Sequence, residues 1–214
     1  MVARQSRRGT ATVPKSALST TTLRSVVCGL GLLVAPMTLA SGVSFQGTYW
    51  AEAADRHGVP VEYLYSIALA ESRTAWSDGL ARPYPYVVRY RDEVTTYPDR
   101  EAAKEGLSAL LEDGADKRRI DVGLMQKNLH WHGDRVSAYH EYLDPRIAID
   151  AAASYLAETL ASAPDNPALG IGRYHTWEPL ERAKAYGDYV LRLACELGGP
   201  CHTDSSTPTT ASAE

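Results

Sequence analysis

Glu71 closes a stretch in which Val61, Leu64, Tyr65, Ala68 and Leu69 recur at helical spacing after Pro60. Counting back along that helix by four, three and four positions meets Ile67, Leu64 and Pro60, with Ala68 beside them. The carboxyl therefore falls on the apolar face. It also stands near the helix C-terminus, where the macrodipole disfavours negative charge. Both influences keep a carboxyl protonated toward neutrality. A protonated carboxyl in a cleft is what a general acid for a glycosidic oxygen requires. The plainer alternative is a solvated glutamate in a fraying last turn.

A glycosidase that uses water needs a second carboxylate at a defined separation from the first. Asp78 and Asp121 are the nearest candidates, and both read as turn or capping residues. His130-x-His132, with His140 nearby, offers imidazoles to a metal, but no cysteine or flanking carboxylate completes a zinc pattern. No metal and no cofactor is expected. Tyr84-Pro85-Tyr86 could stack on sugars or simply pack a hairpin.

The elements that must position these groups are mostly helical. Thr48 to His57 reads as a short helix ended by Gly58, and Pro60 opens the helix that carries Glu71. Residues 86–90 and 94–97 read as two strands of a hairpin around Arg91-Asp92-Glu93, since Pro83 and Pro85 interrupt any helix before them. Ala102 to Asp113 forms a helix with Ala103, Leu107, Leu110 and Leu111 on one side. Ile120 to Trp131 reads as a loop. Asp144-Pro145 caps and starts a helix to about Ser162, with Ile147, Ala148, Ala151, Ala152, Tyr155, Leu156, Thr159 and Leu160 at core spacing. A short helix spans Pro167 to Tyr174, and a last one Pro179 to Leu197 with Ala183, Tyr186, Val190 and Leu193 inward. From His202 onward the chain is Ser/Thr/Ala-rich without an apolar face, so 202–214 is expected to be disordered.

Four short motifs occur in order: Ala70-Glu71-Ser72, Asp121-Val122-Gly123-Leu124-Met125-Gln126, Gly172-Arg173-Tyr174-His175, and Tyr186. The set resembles the soluble lytic transglycosylase family, whose motifs run Glu-Ser, Gly-Leu-Met-Gln, Ala-Tyr-Asn-Ala-Gly and a late tyrosine. The resemblance covers roughly residues 48–195 and is nearest to the branch that accompanies conjugation and type IV secretion machinery. It implies a predominantly α-helical α+β fold, the lysozyme-like (goose-type lysozyme/lytic transglycosylase) domain, over residues 41–201. A β-hairpin plus helix at about 80–119 would be an insert between the first two motifs. Glu71 would protonate the bond between N-acetylmuramic acid and N-acetylglucosamine in peptidoglycan and then act as base, leaving a 1,6-anhydro end. Ser72 would orient the carboxyl or a substrate acetamide, Met125 and Gln126 would line the groove, and Tyr174 and Tyr186 would hydrogen-bond near Glu71. Three positions depart from the family. Arg73 replaces glycine, Lys127 replaces an apolar residue, and His175 replaces asparagine as a hydrogen-bond donor. Arg73 and Lys127 would add positive charge beside the groove, toward stem-peptide carboxylates, or would be solvated.

The beginning of the chain carries Arg4, Arg7, Arg8, Lys15 and Arg24 and no acid, then an apolar run from Val26 to Val34 and a small-residue end at Ala40. This pattern predicts a secretory signal over 1–40, with an uncleaved anchor as the alternative. Arg7-Arg8 lacks the apolar residues of a twin-arginine signal. Losing those five cations takes the chain from −4 to −9. So acidic a domain is a poor nucleic-acid binder. Glycan strands and secretion or conjugation proteins are the expected partners, with the chain itself a monomer in the periplasm or envelope. Cys195 and Cys201 flank Gly198-Gly199-Pro200 and would close a disulfide in an oxidising compartment, two free thiols being the other possibility.

Overall fold

Among the described residues, five of the seven α-helices start at a polar side chain that accepts from a backbone N–H of the first turn. The structure, a computed structural model, describes residues 43–201; the expected leader and tail lie outside the described residues. Helix α1 (Tyr49–His57) is capped by the Thr48 hydroxyl, which accepts from Ala51 N, and ends at Gly58 with φ 67°. Helix α2 (Val61–Ser72) begins after Pro60 and runs through the core with Leu64, Ile67 and Ala68 fully buried. Helix α3 (Arg100–Glu112) starts two residues earlier than its apolar spacing suggests, because Asp99 caps it by accepting from Ala102 N at 2.9 Å. A single turn, α4 (Leu129–His132), is capped by Asn128.

Helix α5 (Pro145–Ala161) is capped by Asp144 as its Asp-Pro start predicts. Its buried stripe is Ala148, Ile149, Ala152, Ala153, Leu156 and Thr159, while Ile147 is exposed. The stripe is thus turned by one residue from the expected one. Helix α6 (Pro167–His175) packs closely on α7 (Leu180–Glu196). A Cβ at Gly172 would collide with the Ala183 carbonyl oxygen, so the helices meet where α6 has no side chain. Together α2, α5, α6 and α7 enclose the core.

Two antiparallel sheets complete the described residues. In the first, β1 (Arg73–Ala75) pairs with β2 (Ala81–Pro83), a ribbon that the prolines had concealed. The second has order β4-β3-β5-β6. Its hairpin, β3 (Val87–Tyr90) with β4 (Glu93–Thr96), lies where the sequence puts it. The expected loop at 120–131 instead holds β5 (Ile120–Val122), β6 (Lys127–Asn128) and the start of α4. Strand β5 pairs on one side with β3, Val88 opposite Val122, and on the other with β6. The segment read as an insert is therefore part of the same sheet as the second motif.

The chain is a predominantly α-helical α+β protein. Cys195 and Cys201 form a disulfide with Cα atoms 4.7 Å apart. Among the described residues no helix is long and apolar enough to cross a membrane.

Candidate active site

Glu71 sits in the last turn of α2, and its side chain is only 10% exposed. The Tyr186 hydroxyl, brought in by α7, donates to Glu71 Oε1 at 2.6 Å. His175 at the end of α6 stacks flat on the Tyr186 ring, centroids 4.6 Å apart, and its Nδ1 lies 3.9 Å from the same carboxyl oxygen. Burial raises the Glu71 carboxyl above its ordinary range. Tyr186, Arg89 and Lys127 pull it back, and Asp121 pushes it further up. Burial, with Arg182 and Arg89, lowers His175, so its imidazole is neutral near pH 7 and presents no cation to the acid. The phenol of Tyr186 is held well above its usual value by burial and by Glu71, which keeps its proton in place as a donor.

These groups open into a cleft of about 660 Å³. Its helical wall carries Glu71, Arg173, Tyr174 and His175, and Trp177 follows α6. The rest of the lining includes Arg89 of β3, Asp121 of β5, Gln126, Lys127, and Trp131 of α4. Trp131 and Trp177 are 68% and 50% exposed. The Trp177 ring is held in place: its Nε1 donates to Tyr155 Oη at 3.1 Å, and the Arg173 guanidinium lies over it at 4.9 Å.

The turn between β5 and β6 is Gly123–Gln126. Gly123 has φ 76°, and a Cβ there would collide with the Tyr142 carbonyl oxygen. Gln126 also has positive φ, 42°, an uncommon conformation for a residue with a side chain, and its Nε2 donates to Gly123 O at 2.9 Å. The strained residue is the one that lines the cleft.

The other expected site residues are placed differently. Ser72 is buried and faces away from the cleft, because one residue past Glu71 is a turn of roughly 100° around the helix. Its hydroxyl donates to Leu124 O at 2.8 Å and accepts from Tyr84 N at 3.3 Å, tying α2 to the motif turn and to the segment before β3. It makes no hydrogen bond to Glu71 and does not line the cleft. Met125 is fully buried in the core rather than in the groove lining. Tyr174 reaches the cleft, but its hydroxyl donates to Met125 O at 3.3 Å, not to Glu71. Arg73 lies off the cleft, its guanidinium on Tyr189 Oη at 2.5 Å. Lys127 is neither solvated nor at the rim; it is 1% exposed.

Asp78 caps Leu80 N and pairs with Arg82 at the ribbon, as a turn residue would. Asp121 is not a turn residue. From β5 it accepts from Asn128 Nδ2 at 2.9 Å and lies 3.8 Å from Arg89, inside the cleft. Tyr84 packs the hairpin, its hydroxyl on Tyr97 O at 2.6 Å. His132 is pushed down to about 3 by burial and by the Lys127 and Arg135 charges, and its ring rests on Tyr155. Among the described residues no group of three or more His, Cys, Asp or Glu is placed to hold a metal ion.

Protein-family models, curated proteins and solved structures offer no match to this chain. The functional reading therefore rests on the geometry of the cleft. Sequence reading missed Arg89, Trp131 and Trp177. The tryptophans did leave a signal, in His130-Trp131-His132 and Thr176-Trp177-Glu178: a large aromatic among polar residues with no apolar period to bury it. Arg89 left none, because its place depends on β3 pairing with β5.

Proposed function

We propose that this chain is an exported peptidoglycan lytic transglycosylase of the lysozyme-like α+β fold, with Glu71 as its acid and base. The observation that carries the reading is the desolvated Glu71 carboxyl, held by Tyr186 at the wall of an open cleft with two exposed indoles. Such aromatic faces suit pyranose rings, and the few polar groups between them fix orientation. With Oε1 accepting from Tyr186, Oε2 is left to carry the acidic proton.

In this mechanism Oε2–H protonates the glycosidic oxygen between N-acetylmuramic acid and N-acetylglucosamine as the C1–O bond breaks. The Glu71 carboxylate then takes the proton of the muramyl C6 hydroxyl while O6 bonds to C1. The proton lost in the first half is recovered in the second, and no water is consumed. The single buried acid with a neutral His175 beside it fits a group that must alternate between both protonation states.

Asp121 favours a second reading, hydrolysis, because it supplies another carboxylate in the same cleft. Its contacts with Arg89 and Asn128 give it a structural occupation instead. Mass spectrometry of digested sacculi separates the two. Anhydro-ended muropeptides from wild type, retained in Asp121→Asn and absent in Glu71→Gln, support the lyase; reducing ends lost in Asp121→Asn would establish the hydrolase. If Glu71→Gln clears peptidoglycan in a zymogram as well as wild type does, neither enzyme reading stands, and a wall-binding component of an envelope machine takes their place.

A further inference from the structure

Among the described residues, five buried side-chain nitrogen or oxygen atoms have no hydrogen-bond partner, and four of them belong to residues that line the cleft. Three of those four residues are engaged otherwise. Arg89 lies against Asp121, Arg173 donates to Ser162 O at 2.7 Å, and the His132 ring rests on Tyr155. Lys127 has one polar atom, Nζ, and no hydrogen bond or ion pair reaches it. It faces aromatic rings, with Nζ 3.8 Å from the Tyr174 centroid and 4.6 Å from that of Tyr155. Those faces attract an ammonium but do not replace the water it has lost.

An apolar side chain would fill the same space in β6 at less expense to stability. An amine held against that cost, in the cleft that contains the acid, needs another reason. The groups around it narrow the reason down. Arg135 approaches it, but Arg135 is held by Glu158 through two bonds of 2.8 Å. His132, from α4, is neutral. Tyr155 of α5 and Tyr174 of α6 supply ring faces. Glu158 is taken by Arg135 and Asp121 by Arg89, which leaves Glu71 of α2 as the inner carboxyl of the cleft with no ion-pair partner among Lys and Arg. Burial pushes the Lys127 amine well below its usual range, and Glu71 is the strongest influence restoring its charge.

We propose that Lys127 is a positioning residue for the acid: its sealed amine stabilises the carboxylate that Glu71 becomes on giving its proton to the leaving oxygen. Nζ is sealed from water, so an ammonium there acts on developing negative charge without having to reorganise, and ionisation of Glu71 is what restores its charge against burial. Nζ touches no substrate in this arrangement; it works through its field at Glu71. The inference rests on Glu71 being the acid.

The test is Lys127→Met, with Lys127→Gln as a second uncharged variant. Without the cation, Glu71 holds its proton more tightly. The alkaline limb of kcat/KM against pH then moves to higher pH in both variants, and peak kcat falls roughly tenfold or more. The Glu71 carboxyl carbon, followed by NMR, titrates at higher pH in both variants than in wild type, a readout independent of turnover. Lys127→Met also melts above wild type. Superimposable pH profiles and Glu71 titrations would overturn the proposal while the glycan reading stood, and failure of both variants to fold would overturn the view that the amine is held at a cost. An active Glu71→Gln enzyme would remove the acid itself and this inference with it.

Discussion

One wall of the cleft is helical and the other is sheet. On the helical side, α2, α6 and α7 bring Glu71, His175 and Tyr186 together, so the acid and the groups that touch it come from packed helices. On the sheet side, β3, β5 and β6 supply Arg89, Asp121 and Lys127, which act on the acid only through space. The difference separates contact from field: the helices supply the groups that touch the carboxyl, and the strands supply charges that act on it from a distance.

Tyr186→Phe tests the contact side and has the largest expected effect of four further variants. It removes the Tyr186 hydrogen bond to Oε1, a bond that favours the charged carboxylate. The alkaline limb of the activity profile should move up in pH, because the lost bond lowered the Glu71 pKa, and kcat should fall about ten- to a hundredfold through a misplaced acid. An unchanged profile would remove Tyr186 from the helical wall's account. Trp177→Ala and Trp131→Ala, one at each wall, come next. Both side chains are exposed, so folding is expected to be intact. Each should raise KM for glycan about tenfold with little change in kcat, as the loss of an aromatic platform worth about 1–3 kcal/mol would. A larger fall in kcat than in affinity would place the indoles in the chemistry instead. The smallest effect on activity belongs to Ser72→Ala, which joins the two walls without facing the cleft. Denaturant unfolding should show a loss of about 1–2 kcal/mol with the pH profile unmoved. A shifted profile would return Ser72 to the site.

The same two walls differ in how much of them could be read from sequence. Thr48 and Gly58 mark the ends of α1, and Asp144-Pro145 the start of α5, because caps act on the residues next to them. The apolar face under Glu71 was visible for the same reason. The face of α5 was misjudged by one residue, since an alanine-rich helix has few bulky side chains to declare which side is inward. Strands β5 and β6 were invisible: three and two residues show no alternation, and β3, the strand that ties β5 into the sheet, lies about thirty residues upstream. Asp121 was misread with them. Lys127 was noticed as an oddity of type, but its burial depends on Tyr155 and Tyr174, each on a different helix.

The pairing of β3 with β5 has a consequence beyond the cleft. Val88 opposite Val122 and Tyr90 opposite Ile120 put the hairpin and the strand before Gly123–Gln126 on one hydrogen-bonded ladder. Recombination that exchanged the hairpin alone would leave β5 with a stranger's register and tilt Asp121 out of line. The unit that can be traded between related chains is therefore the whole span from Val87 to Asn128, and a designer who wants a different rim should cut outside it.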